Sequence, residues 1–291
     1  MRVRYSFSCR KTGKLSPTNK HKTPFPKIVL EVVRISDIIL EVLDARFIEE
    51  TRNLELEDFI KRQRKKIIYI LNKADLVDVD EVTKKIELEN IKPYVFISCK
   101  KRAGATDLRK KIKIEVKRLR ADNQIAKSEK KLFGLEYNRA QVGVIGYPNT
   151  GKSSLINLLI GRSSAKTAAE SGFTKGIQKL RFTNEIQILD TPGVIPEKEL
   201  EPGKSFKTKH TQIGVRTYDK VKEPEFVVLE LMKKYPCVFE NFYGIDADGD
   251  SEILINELGQ RLHFFLQGGK IDIDRTARKI LRDWQEGKIR V

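Results

Sequence analysis

A chain of 291 residues with a net charge of +17 is long enough for one α/β domain of ordinary size and a smaller second one, with a core that folds without covalent staples. Charged residues make up 33% of it and no apolar run approaches the roughly 20 residues of a membrane-spanning helix, so a soluble protein with no membrane partner is expected; a monomer is expected as well. Cys9, Cys99 and Cys237 lie far apart and form no CxxC pair, which argues against a zinc knuckle or a disulfide framework and fits the reducing cytoplasm.

Residues 1–30 hold Arg2, Arg4, Arg10, Lys11, Lys14, Lys20, Lys22 and Lys27 with no Asp or Glu, while Pro17, Pro24 and Pro26 interrupt any amphipathic helix. A basic arm is expected there rather than a transit peptide. Three short apolar runs follow, Ile38–Leu43, Ile67–Leu71 and Tyr94–Ile97, which read as buried parallel strands separated by charged stretches of helix length. Leu108, Ile112, Val116 and Leu119 then recur at helical spacing on a basic helix, and a polar connector spans about 119–139.

A strand Gln141–Ile145, a glycine-containing turn and a helix Lys152–Ile160 stopped by Gly161 come next. Residues 162–176 suit a mobile loop, and strands are predicted at Gln178–Phe182 and Glu185–Leu189. After a proline-rich loop with Pro192, Pro196 and Pro202, the pattern changes to helices at Phe226–Tyr235, Glu252–Leu266 and Asp274–Glu286, with Gly268, Gly269 and Gly287 as stops. The expected division is a basic arm at 1–30, an α/β domain at 31–205, and a linker with a helical domain at 206–291.

Gly146-Tyr147-Pro148-Asn149-Thr150-Gly151-Lys152-Ser153 matches G-x-x-x-x-G-K-[ST] between a strand and a helix, where a phosphate-binding loop must sit. Its backbone N–H groups and the helix N-terminus face the phosphates, Ser154 continuing the first turn. Lys152 reaches the β- and γ-phosphates and Ser153 coordinates Mg²⁺. Asn72-Lys73-Ala74-Asp75 resembles the guanine motif N/T-K-x-D, in which a carboxylate accepts from both the ring N–H and the exocyclic amine, a pair that adenine does not offer. Ser98-Cys99-Lys100 resembles the supporting S-A-K motif, and Asp190-Thr191-Pro192-Gly193 resembles D-x-x-G, whose carboxylate holds Mg²⁺ through water and whose glycine N–H meets the γ-phosphate. Thr174 is the candidate switch threonine, also a Mg²⁺ ligand, with Thr167 its rival in the same loop.

In this order, with the guanine motif ahead of the phosphate loop, the motifs run differently from a Ras-like chain. The sequence resembles the circularly permuted GTPases of the YlqF/RbgA family over roughly residues 36–291, with support from Asp44-Ala45-Arg46 and from a C-terminal helix over Arg275–Lys288. The resemblance implies a Ras-like P-loop GTPase fold: a mostly parallel sheet flanked by helices, circularly permuted, with a small all-helical C-terminal domain. It also implies GTP and GDP as ligands, Mg²⁺ as cofactor, and a role in large ribosomal subunit assembly on ribosomal RNA. In relatives with an Asn at the position of Asn149 that residue helps bind K⁺; Asn149 reads equally well as a turn residue. Val194 stands where Ras-like enzymes carry the water-positioning Gln, so slow hydrolysis without a partner is expected.

The net charge predicts attraction to a polyanion by phosphate neutralisation and counterion release, with a solvated Lys-rich surface as the plain alternative. Ala277, Ile280, Leu281 and Trp284 repeat at one helical face, and Arg275, Arg278, Lys279 and Arg282 repeat on the opposite one, a candidate RNA-binding stripe. Asp246, Asp248 and Asp250 lack the glycine and glutamate placement of a calcium loop and read as a turn into a helix. His263, Phe264, Phe265 and Trp284 read as packed residues. Two rival functions stay open: an RNA-binding module that keeps GTP as a structural ligand with little turnover, and a GTPase acting on tRNA.

Overall fold

The structure is a computed structural model that describes residues 26–89, 91–121, 139–161, 177–195 and 204–290. The basic arm up to residue 25, most of the connector, and the loop carrying Thr167 and Thr174 lie outside the described residues.

Six strands form one sheet: β1 (Ile38–Asp44), β2 (Lys66–Asn72), β3 (Tyr94–Phe96), β4 (Ala140–Ile145), β5 (Gln178–Arg181) and β6 (Ile186–Asp190). They lie in the order β3-β2-β1-β4-β6-β5, every neighbouring pair parallel except β5 with β6. All residues of β1 and β4 are buried, as expected for central parallel strands covered on both faces. The apolar runs of β1, β2 and β6 each end on one polar residue, Asp44, Asn72 or Asp190. The sequence thereby sets side chains able to hydrogen-bond at the carboxyl edge, where open α/β sheets bind ligands.

Helices α1 (Lys27–Ile35), α2 (Ile48–Thr51), α3 (Leu54–Arg62), α4 (Val79–Leu88), α5 (Ala105–Ala121) and α6 (Lys152–Ile160) cover the sheet. Alternation along β1 sorts them into two layers. Ile38, Leu40 and Val42 join Leu108, Ile112 and Val116 of α5 and Leu155, Ile156 and Leu159 of α6. Ile39 and Leu43 join Val29 and Val33 of α1, Leu56 and Ile60 of α3, and Ile86 of α4. Local signals set the helix starts: Asn53 accepts from the Leu56 N–H and Asp78 from the Asp80 N–H, each capping the helix that follows it.

Beyond β6 come α7 (Lys204–Gln212), α8 (Pro224–Lys234), α9 (Val238–Tyr243), α10 (Ser251–Arg261) and α11 (Ile273–Gln285). Their core gathers Val228, Leu231, Phe239, Leu254, Ile280 and Trp284, and it also takes in Phe47 and Tyr147 from the loops of the sheet domain. Trp284 stacks on both Phe47 and Phe239, with ring centroids 5.6 and 5.3 Å apart. The helical region is therefore seated on the sheet domain by aromatic packing.

Several expectations are corrected here. The predicted helix Glu252–Leu266 ends at Arg261, because His263 adopts a left-handed φ of 54° and the chain turns back to pair Phe265 with Ile271. His263 and Phe265 are consequently exposed and Phe264 is half-buried, not packed in a core. Gly268 and Gly269 belong to that turn and stop no helix. The basic arm's expected boundary at residue 30 falls inside α1, where Val29 is buried. Asp250 does cap α10, accepting from the Glu252 N–H at 2.7 Å, in keeping with a turn rather than a metal loop.

Candidate functional site

The guanine loop begins where β2 ends. Asn72 directs its side chain two ways: Nδ2 donates to the Thr150 carbonyl of the phosphate loop at 2.7 Å, and Oδ1 accepts from the Cys99 N–H at 3.3 Å. One buried amide thus ties three motifs together. Lys73 follows in a left-handed φ of 63°, which turns the chain into the short helix Ala74–Leu76 and aims Asp75 back along the sheet edge. Asp75 Oδ1 accepts from Ser98 Oγ at 2.6 Å, and the same oxygen of Ser98 accepts from the Lys101 N–H at 3.0 Å. Ser98 therefore orients the carboxylate that would read guanine. Burial, and then the charge of Asp75, push the Cys99 thiol up to about 11, so this cysteine is a packed, unreactive neighbour. Lys100 is exposed.

The phosphate loop runs from the end of β4 to the start of α6. Gly151, at φ 97°, is required twice over: a Cβ there would lie 2.2 Å from Asn72 Nδ2. Thr150 Oγ1 donates to the Tyr147 carbonyl at 2.9 Å and locks the turn. Lys152 is buried, and its ammonium donates to the carbonyls of Gly146 and Tyr147 at 3.0 and 2.6 Å, curling back inside the loop. Burial lowers its pKa to about 8, an ammonium waiting for an anionic partner. Ser153 is half-buried in the first turn of α6, and Ser154 is exposed.

Pairing of Val144 with Asp190 brings the third loop alongside. Thr191 Oγ1 donates to the Val144 carbonyl at 2.6 Å and the Val194 N–H to the Gly146 carbonyl at 3.1 Å. Gly193 approaches so closely that a Cβ would lie 2.7 Å from Pro148. Burial raises the Asp190 carboxyl to about 6, with Lys152 opposing, and its Oδ1 is buried without a hydrogen-bond partner among the described residues. A buried, orphaned carboxylate oxygen at the end of β6 and a serine hydroxyl in the first turn of α6 are hard oxygen donors of the kind Mg²⁺ takes, so the chemistry of Asp190 and Ser153 fits that ion. No group of three or more His, Cys, Asp or Glu side chains placed to hold a metal ion occurs among the described residues.

Asn72, Lys73, Asp75, Ser98, Cys99 and the residues from Asn149 to Ser153 are thus brought to one edge of the sheet with Asp190 and Gly193. Thr174 lies outside the described residues. Val194 is buried in the core beneath β1, not turned toward the phosphate loop. The basic stripe of α11 is less free than its spacing suggests. Arg278 donates to the carbonyls of Tyr218, Asp219 and Val221 at 2.8–2.9 Å and pairs with Asp274, while Lys279 pairs with Asp283. Arg275 and Arg282 are exposed. Sequence reasoning missed the bonds that leave the site: Asn149 Nδ2 to the Gly214 carbonyl at 2.5 Å, and Arg46 Nη1 to the Trp284 carbonyl at 3.2 Å. The only signal was the Asp44-Ala45-Arg46 wording, which does not name a partner so distant in the chain.

A family profile described as 50S ribosome-binding GTPase matches residues 141–238. An uncharacterized GTP-binding protein of Methanocaldococcus jannaschii is 37% identical over 92% of this chain and 66% of its own length. The guanine nucleotide-binding protein-like 3-like protein of Bos taurus is 31% identical over 89% of this chain and 47% of its own. Ribosome biogenesis GTPase A of Bacillus cereus is 27% identical over 92% of this chain and 89% of its own. The chain thus spans just under two thirds of the first of these and about half of the second. In fold it matches GNP-bound YlqF from T. maritima with a TM-score of 0.59 and 22% identity, covering 89% of this chain and 92% of that one. The order of the motifs, the joined loops and these relatives all point the same way: the chain is similar to GTP-binding proteins that include a ribosome biogenesis GTPase A, and it shares the fold of the circularly permuted GTPase YlqF.

Proposed function

We propose that this chain is a GTP-hydrolysing, Mg²⁺-dependent molecular switch that binds ribosomal RNA and assists assembly of the large ribosomal subunit, acting as a cytoplasmic monomer. The observation that carries the GTP reading is the Asn72 side chain, which bridges the phosphate loop and the Ser98 loop while Ser98 holds Asp75. A purine seated against Asp75 would then have its phosphates delivered to Lys152. Relatives named for ribosome biogenesis, and the charge of +17, support the RNA partner.

In this reading Asp75 accepts from guanine, the loop amides and Lys152 neutralise the β- and γ-phosphates, and the Gly193 N–H meets the γ-phosphate. Mg²⁺, when held by Ser153, Asp190 and Thr174, supplies charge neutralisation between the phosphates. The Val194 side chain offers no polar atom to a water and is packed in the core, so another group must orient the attacking water, and a K⁺ ion at Asn149 would add charge stabilisation in the transition state. A second reading, a GTP-dependent RNA-binding protein with little turnover, is favoured by that same burial of Val194. Single-turnover GTP hydrolysis with and without large ribosomal subunits separates the two. A rate that rises with subunits supports the switch; GTP that stays intact while RNA is bound supports the second reading.

A further inference from the structure

Asp44 ends β1 directly opposite Asn72 on β2. Its carboxylate is fully buried yet takes two cations. Arg46 grips it in a fork, Nε to Oδ1 at 3.0 Å and Nη2 to Oδ2 at 2.8 Å, and Lys73 Nζ lies 2.7 Å from Oδ2. Burial alone would raise this carboxyl; Lys73 and then Arg46 overcome that and hold it well below the usual carboxylate range. The remaining nitrogen of Arg46, Nη1, donates to the Trp284 carbonyl in the last turn of α11, where a cation also complements the helix dipole. The same guanidinium lies 4.8 Å from the Phe47 ring centroid, and Phe47 stacks on Trp284. Lys73, Asp44, Arg46 and Trp284 form an unbroken polar path from the guanine loop to the C-terminal helix.

We propose that Asp44 is a positioning residue for guanine recognition and that Arg46 passes the state of the guanine loop to α11. The inference rests on reading residues 72–75 and 98–100 as guanine-recognising loops. Lys73 stands two residues before Asp75 on a left-handed backbone, so fixing its ammonium fixes the loop from which the Asp75 carboxylate projects. A base on that loop changes how Lys73 is shared with Asp44. The carboxylate then holds Arg46 more or less firmly, and with it the Trp284 carbonyl. The path reports the base and is independent of the γ-phosphate, so GDP suffices to engage it.

Trp284 is the only tryptophan in the chain, so its emission reports the seat of α11. The full chain is titrated with GDP, binding being followed by calorimetry and the seat of α11 by tryptophan emission, with ADP as the control base. The wild type is expected to bind GDP and change its emission, and ADP to do neither. Arg46→Ala should bind GDP at near wild-type strength and lose most of the emission change. Asp44→Asn should lose the emission change and also bind GDP about tenfold more weakly, since a charge-assisted bond behind the loop is gone. Lys73→Met removes the ammonium at constant chain length and should weaken GDP likewise, which keeps the test available where Asp44→Asn melts early by circular dichroism. A full emission response in Arg46→Ala overturns the transmission. Unchanged GDP affinity in both Asp44→Asn and Lys73→Met overturns the positioning role. A wild type that binds GDP with silent emission overturns this proposal alone, whereas a wild type that binds no GDP by calorimetry overturns the guanine reading beneath it.

Discussion

Asn149 Nδ2 donates to the Gly214 carbonyl at 2.5 Å, a bond that joins the phosphate loop to the turn behind α7. The residue that family resemblance links to K⁺ is therefore also a tether between the nucleotide site and the helical region. With ribosomal subunits present, K⁺ is expected to raise GTP turnover over Na⁺, and Asn149→Ala to abolish the difference while GTP binding changes little. The tether adds a second readout: amide hydrogen exchange in α7 should quicken in Asn149→Ala. Equal turnover in the two salts would remove Asn149 from the catalytic residues, and unchanged exchange would make the bond to Gly214 incidental.

Ser98 holds Asp75 by a 2.6 Å bond, so the guanine-reading carboxylate is set before any base arrives. Asp75→Asn should lose GTP affinity by at least about a hundredfold and gain affinity for xanthine nucleotides, because an amide donates where the carboxylate accepted. The fold should survive, since Asp75 is only half-buried. Wild-type GTP affinity in this variant would show that the loop does not read guanine.

Glu41 sits in the middle of β1, fully buried, with the Asn53 N–H on Oε1 at 3.3 Å and no partner for Oε2 among the described residues. Burial, aided by the nearby Glu57 carboxylate and opposed by Arg52 and Lys61, pushes its pKa up to about 8 from an ordinary value of 4.5. The folded carboxyl thus keeps a proton that the unfolded chain has already released between those two values. Folding takes up a proton in that window, and stability falls as pH climbs through it. Glu41→Gln keeps the shape of the protonated acid and never ionises. Its stability relative to the wild type should rise between about pH 5 and about pH 8 in urea unfolding. A constant difference across that range would mean that Glu41 is already charged in the fold.

The sheet and its motif loops were legible because both rest on local pattern. Short β-branched runs such as Ile67–Leu71, each bounded by polar residues, read as buried strands, and the polar residues just past them mark the edge where ligands sit. Helix α6 was read to the residue because Gly161 provides its left-handed stop. What escaped has no local signature. Helix α7 is rich in lysine and threonine, with no apolar repeat, and holds its place through bonds such as Trp284 Nε1 to the Gln212 carbonyl at 3.0 Å. The bond from Arg46 to the Trp284 carbonyl spans most of the chain, and nothing in the sequence near Arg46 names its acceptor. The α11 stripe was half-legible: helical period told which face is polar, but not that Arg278 is spent on main-chain carbonyls.

That division within the stripe yields the last prediction. Arg278 satisfies the carbonyls of Tyr218, Asp219 and Val221, so it staples α11 to the segment leading into α8. Arg278→Ala should cost about 1–3 kcal/mol of stability, the range for leaving polar groups without partners, and should alter RNA binding chiefly through the fold. Arg275 and Arg282 are exposed; Arg275 lies over the Phe264 ring and Arg282 pairs with Glu286 one turn on, a surface pair that is easily exchanged for a phosphate. The double variant Arg275→Ala, Arg282→Ala should therefore unfold like the wild type and keep its GTP affinity. Its binding to large ribosomal subunits should weaken at every salt concentration, with the slope of log affinity against log salt shallower by about two, one for each phosphate that the variant no longer neutralises. If the double variant bound subunits with an unchanged slope, the stripe would be a solvated face, and RNA would have to be held by another basic surface of the chain.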